Sequence, residues 1–176
     1  MAPMRKQHMI LTLGRSGSNT LVDLLNQNPA ILNYGEVLGS WTRFRQVQQK
    51  AGLWRGDDAA YVDSLLGNPK VARTANLLRS VGKLRQGRSA EIKRFGKVLS
   101  VGIKEFALNF RQSDMVGYLV DRPQIRVIAL VRRNSLARMI SSQMLDATGV
   151  VLVSNDRQNS RPERRQLWLD PATVLA

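Results

Sequence analysis

The chain has 176 residues, 43% of them apolar, which is enough for one domain with a substantial core. It carries no cysteine and one histidine, which excludes disulfides, thiolate metal sites and a His-rich zinc centre. A formal net charge of +14 implies attraction to phosphorylated or sulfated partners, or unspecific attraction to nucleic acid and membrane surfaces. Residues 1–8 are short and polar, and no apolar run approaches the roughly twenty residues that span a bilayer. Neither a signal peptide nor an anchor is read, and with no cysteine the expected location is cytoplasmic.

Met9 to Leu13 form an apolar run that predicts a buried strand, and Leu21, Leu24 and Leu25 at helical spacing predict the helix after it. The turn between them, Gly14-Arg15-Ser16-Gly17-Ser18-Asn19-Thr20, is small, polar and glycine-bearing. A strand, loop and helix in this order aim backbone N–H groups and a helix N-terminus at one spot, where the hydroxyls of Ser16, Ser18 and Thr20 add donors. Such a spot selects an anion, phosphate above all. The Walker A loop needs Gly-x-x-x-x-Gly-Lys-Ser/Thr, whereas position 19 is Asn and position 20 is Thr. The lysine is missing, and Arg15 is the cation instead.

Asn26 to Pro29 end the helical pattern, and Ala30 to Tyr34 predict a second strand that leads into Gly35-Glu36. Strands of a parallel sheet end at one edge, which brings Glu36 towards Arg15 as a candidate general base. Trp41 to Ala51, Ala59 to Leu66 and Val71 to Leu84 have helical apolar spacing, and together they read as a helical, basic insertion at about 41–97. The cations from Lys70 to Lys97 read first as a solvated helix face. Val98 to Ile103 predict a third strand ending in Lys104-Glu105, with Lys104 a candidate functional cation.

Gln124 to Val131 is the strongest strand after the first and runs into Arg132-Arg133-Asn134-Ser135 and a helix. On that helix Leu136, Met139, Ile140, Gln143 and Met144 follow core spacing. With a rise of ~1.5 Å per residue, Ser141 lies roughly two turns beyond the strand end, within reach of a group held by a long arginine. Arg133 and Ser141 can therefore share one phosphate.

These two elements resemble those of the sulfotransferases that use 3′-phosphoadenosine 5′-phosphosulfate (PAPS). Arg15-Ser16-Gly17-Ser18 is similar to the family's 5′-phosphosulfate loop, most of all in its carbohydrate and tyrosyl-protein branches. Arg133 followed eight residues later by Ser141 is similar to its 3′-phosphate pair, and the two elements come in the family's order. Arg132-Arg133-Asn134-Ser135 lacks the Asp-Pro or Asn-Pro often found after that arginine, so Arg132 stays an alternative. The resemblance covers roughly residues 8–176 and is poor between Trp41 and Val98.

What it implies is a three-layer α/β/α fold with a central parallel sheet, P-loop NTPase-like, in one sulfotransferase-like domain spanning 1–176. The implied activity moves a sulfuryl group from PAPS to an acceptor hydroxyl of a carbohydrate-like or other small acceptor, without a metal. Arg15, Ser16, Gly17, Ser18, Asn19 and Thr20 would bind the 5′ end of the nucleotide, and Arg133 with Ser141 the 3′-phosphate. Glu36 would be the base, Arg15 would stabilise the leaving phosphate, and Lys104 would join them as a catalytic cation.

Two other readings compete. A kinase or NTPase with a degenerate Walker A loop shares the strand–loop–helix physics but lacks the lysine. A basic nucleic-acid-binding module calls for aromatics interleaved with cations, and between Lys70 and Lys97 the only aromatic is Phe95. No specific nucleic-acid partner is expected. Near the C-terminus, Val150 to Val153 suggest a short strand, and Asp170-Pro171 is a helix start with about one turn of chain after it. The expectation is an incomplete domain, the N-terminal part of a longer protein.

Overall fold

The computed structural model describes residues 5–39, 42–50, 57–85, 87 and 92–148. In chain order it has β1 (Lys6–Thr12), α1 (Ser18–Gln27), β2 (Ile31–Asn33), α2 (Arg43–Lys50), α3 (Asp58–Gly67) and α4 (Pro69–Arg85). After a single 3-10 turn (Phe95–Lys97) come β3 (Ser100–Phe106), α5 (Ala107–Gln112), β4 (Ile125–Leu130) and α6 (Ser135–Thr148). The chain divides into two compact units, Met1–Val131 and Arg132–Ala176. Val150 to Val153 and the helix start at Asp170-Pro171 lie outside the described residues.

The first unit is built on a four-stranded sheet in the order β2-β3-β1-β4, with every pair parallel. β1 lies inside the sheet, and Met9 and Ile10, on opposite faces, are both fully buried. A continuous apolar run is what a strand covered on both faces requires. One face carries Met9, Leu32, Val101, Ile103 and Ile125, which pack with Tyr61, Val62, Leu65 and Leu66 of α3, Ala75 of α4 and Phe110 of α5. On the other face α1 is tied to β2, since Asn26 takes the Asn33 N–H on its side-chain oxygen and donates to the Asn33 carbonyl. Helices thus lie on both faces of a parallel sheet, an α/β fold that fits three layers. Among the described residues no helix is long and apolar enough to cross a membrane.

The helical, basic stretch 41–97 is not peripheral. Tyr61, Val62 and Leu65 are fully buried and form much of the core on their face, because α3 turns one apolar stripe inward. Helix starts follow local chemistry. The Asp57 side chain accepts from Ala60 N at 2.7 Å and caps α3, and Asn68 accepts from Lys70 N at 3.0 Å ahead of Pro69, the first residue of α4. Arg88 and Glu91 of the same stretch lie outside the described residues.

β3 runs further than the apolar pattern predicts, through Lys104 and Glu105 to Phe106. Both charged residues find partners distant in sequence that the pattern could not reveal. A row of polar groups also crosses the α1 face. Asn33 accepts from Gly35 N at 2.9 Å on its side-chain oxygen, so its Nδ2 is the atom that faces His8 Nε2 at 3.1 Å. Nε2 must then be unprotonated, which leaves the proton on Nδ1 to be donated to Ser100 Oγ at 2.9 Å. Gly102 lies between them, and a Cβ there would overlap the His8 ring and carbonyl. Only glycine lets the ring lie flat across β3.

Burial holds the His8 pKa below its ordinary 6.5, so the native state keeps the ring neutral where the unfolded chain protonates it. This contribution to stability is present above pH 6.5 and is lost as pH falls through 6.5 towards the depressed native value. Urea unfolding from about pH 7.5 to about pH 5 will show stability falling with pH more steeply in the wild type than in His8→Gln. Parallel curves for the two proteins would refute the neutral, Asn33-bonded ring.

Candidate functional site

At the carboxyl ends of β1 and β3 the chain departs to opposite faces. The loop after β1 leads to α1 on the Lys104 face, and β3 leads to α5, whose Phe110 lies in the core on the Glu105 face. Neighbouring parallel strands that part in this way open a crevice at their ends, the usual place for a ligand in an α/β sheet.

The β1 loop is held in a left-handed course. Gly14 has φ 84°, Arg15 φ 46° and Gly17 φ 84°. For arginine this costs on the order of 1–2 kcal/mol, and a strained loop residue beside a strand end points to function. Gly17 stands at the N-cap of α1 with no side chain capping the helix, so no side chain competes with an anion for the first-turn amides. Ser16 Oγ is bonded to Thr12 Oγ1, which also accepts from Gly14 N at 3.3 Å. Ser18 is buried, whereas Asn19 and Thr20 are exposed. Of the loop's predicted donors, Ser16 thus braces the turn and Ser18 lies beneath it.

Lys104 is 1% exposed. Its ammonium forms an ion pair with Glu36, donates to Asn19 Oδ1 at 3.2 Å and lies 4.2 Å from the centre of the Phe106 ring. Glu36, Lys104 and Asn19 were each singled out from the sequence, and the fold gathers them from the ends of β2, β3 and the first turn of α1. Phe106 also lies under the loop, 3.6 Å from where a Cβ on Gly14 would stand.

Glu105 points to the opposite face and is fully buried. One carboxylate oxygen accepts from the backbone N–H of Val37 and of Leu38, the latter at 2.7 Å, and the other accepts from Asn109 Nδ2 at 2.8 Å. Burial pushes its pKa up, the two amides and the Asn109 carboxamide pull it back, and the charge of Glu36 adds to the upward push. Glu105 is therefore an anchor for the segment that carries Glu36. Sequence reasoning placed it at the end of the third strand and missed this role along with Thr12, Phe106 and Asn109. Continued in-and-out alternation through Lys104-Glu105-Phe106 was the available signal.

Beside the anchor lies a cleft of about 310 Å³ lined by Leu38, Gly39, Arg45, Gln49, Asn109, Gln112 and Ser113. Arg45 is tied to Asp58 at 2.5 Å and to the Leu38 carbonyl, which leaves the wall polar with its charge matched.

In the second unit, Asn134 caps α6 by accepting from Ala137 N at 2.8 Å. Arg132 and Arg133 are exposed ahead of that cap, and Ser141 is half-buried within the helix. Leu136 and Ile140, which follow core spacing, are exposed. Among the described residues no cluster of three or more His, Asp or Glu could hold a metal ion.

Glu105→Ala leaves two backbone amides and one carboxamide without their acceptor. At ~1–3 kcal/mol for each unsatisfied buried group, a loss of about 3 kcal/mol or more is expected by urea unfolding. Amide exchange at Val37 and Leu38 should accelerate at the same time. Glu105→Gln should keep most of both properties, because its oxygen can take the two amides while the Asn109 carboxamide turns over to accept from its nitrogen. Unchanged exchange in Glu105→Ala would dismiss the anchor.

Family models, curated proteins and solved structures were each compared with the chain, and none of the three gives a match.

Proposed function

We propose that the protein is a PAPS-dependent sulfotransferase with a P-loop-like fold. The observation that carries the reading is the meeting of Glu36, Lys104 and Asn19 beside the uncapped first turn of α1. A carboxylate, an ammonium and free amide donors at one strand edge suit transfer of an anionic group to a hydroxyl.

In this reading the 5′-phosphate of the nucleotide takes the α1 amides and Arg15. The acceptor oxygen attacks sulfur while Glu36 removes its proton. The bond between sulfur and the 5′-phosphate oxygen breaks, and the electron pair goes to that phosphate. Arg15 and the loop amides stabilise the charge that grows there, being in place before reaction. Lys104 steadies Glu36 through their ion pair and adds positive charge next to the transferring group. Support for the 3′ end comes from the sequence pair Arg133 and Ser141, with Arg132 as the alternative.

The acceptor is best read as rich in hydroxyl groups. The cleft begins two residues beyond Glu36 and offers the carboxamides of Gln49 and Gln112 with the Ser113 hydroxyl, groups that bond neutral sugars well.

Calorimetry with adenosine 3′,5′-bisphosphate, without magnesium, tests the reading. Micromolar binding is expected, weakened about 10–100-fold in Arg15→Ala and in Arg133→Ala, the loss of a charged hydrogen bond to phosphate. Glu36→Gln should retain that binding and release the bisphosphate from PAPS about 10²–10⁴-fold more slowly with a panel of sugar acceptors. Preference for ATP with magnesium would instead favour a kinase or NTPase.

A further inference from the structure

α4 turns one face to the core and an unusual one to solvent. Ala72, Ala75 and Asn76 are buried, and Tyr34 donates from its hydroxyl to the Ala72 carbonyl at 3.0 Å. Leu77, Val81 and Leu84 follow at i, i+4 and i+7, which puts them in one row on the opposite side. They are 63%, 40% and 56% exposed. A surface helix normally carries polar residues there.

Cations border this row. Lys70 and Arg73 lie towards its start and Arg85 at its end, all three exposed. Through its whole length α4 has no acidic residue, while it holds Lys70, Arg73, Arg79, Lys83 and Arg85. Leu78, at 37% exposed, widens the apolar strip on one flank. Apolar residues in the middle, basic ones at the margins and no acid between them are the composition of a helix that lies in a membrane interface.

We infer that α4 docks the protein on an anionic lipid surface. Leu77, Val81 and Leu84 enter the boundary between headgroups and acyl chains, while Lys70, Arg73 and Arg85 meet lipid phosphates and carboxylates. Charge decides among the occupants of this face. A second copy would bring the same cations against themselves in a chain of net charge +14. Nucleic acid would match the charge, but the middle of the row is aliphatic and gives bases no ring to stack on. An anionic bilayer matches both halves of the pattern and is independent of the reaction proposed for the strand edge.

Co-sedimentation of the full chain with phosphatidylcholine vesicles, with and without about one-third phosphatidylserine, tests the inference. Binding to the anionic vesicles is expected to be at least about tenfold stronger than to the neutral ones and to weaken with salt. The triple variant Leu77→Ser/Val81→Ser/Leu84→Ser should lose about tenfold or more of it at unchanged net charge. These side chains face solvent, so the variant is expected to fold, and circular dichroism checks that. Lys70→Ser/Arg73→Ser/Arg85→Ser should lose the lipid selectivity. Equal binding of wild type and the Leu77/Val81/Leu84 variant would overturn the inference, since net charge alone would then explain it. So would a wild-type dimer that this variant dissociates, without any vesicle binding by either protein.

Discussion

A single buried carboxylate holds the candidate site in shape. Glu105 is taken out of water entirely, a costly position for an ionisable group unless its oxygens are well supplied with donors. It is supplied by the amides of Val37 and Leu38 and by Asn109. Those amides belong to a turn that would otherwise bury unsatisfied donors at the edge of the sheet. Carboxylate and turn solve each other's problem, and Glu36 is carried into place as a consequence.

The next residue back does the complementary work on the other face. Lys104 and Glu105 are neighbours in one strand, so the pleat sends them to opposite sides of the sheet. Lys104 reaches Glu36 and Asn19, joining the β2 turn to the start of α1. The turn after β2 is therefore gripped from both faces by consecutive residues of β3. Further back, the Asn33 side chain binds Gly35 N and the His8 ring together. This continues the same polar support into the middle of the sheet, with Gly102 leaving room for the ring.

The molecule separates its two proposed contacts with anions. At the strand edge, donors are few, oriented and partly buried, which favours one small ligand in one pose. On α4 the cations are exposed and set around aliphatic side chains, which favours a broad, soft surface. Both draw on the same excess of positive charge, and burial distinguishes their uses.

Local chemistry written in the sequence was enough for the strand–loop–helix after Met9, for an all-parallel sheet from strands separated by helices, and for helix starts such as Asn68-Pro69. Each depends on residues a few positions apart. Arg15, Glu36 and Lys104 were legible as candidates because each stands at or near a strand end. Only tertiary structure decided that Glu105 anchors the turn rather than facing a substrate, because its amide partners lie 67 and 68 positions away and no local pattern encodes them. The same holds for α3, whose apolar stripe could as well have covered a separate insertion. Which surface a stripe meets is settled by the layer it packs on, and that choice belongs to the whole fold.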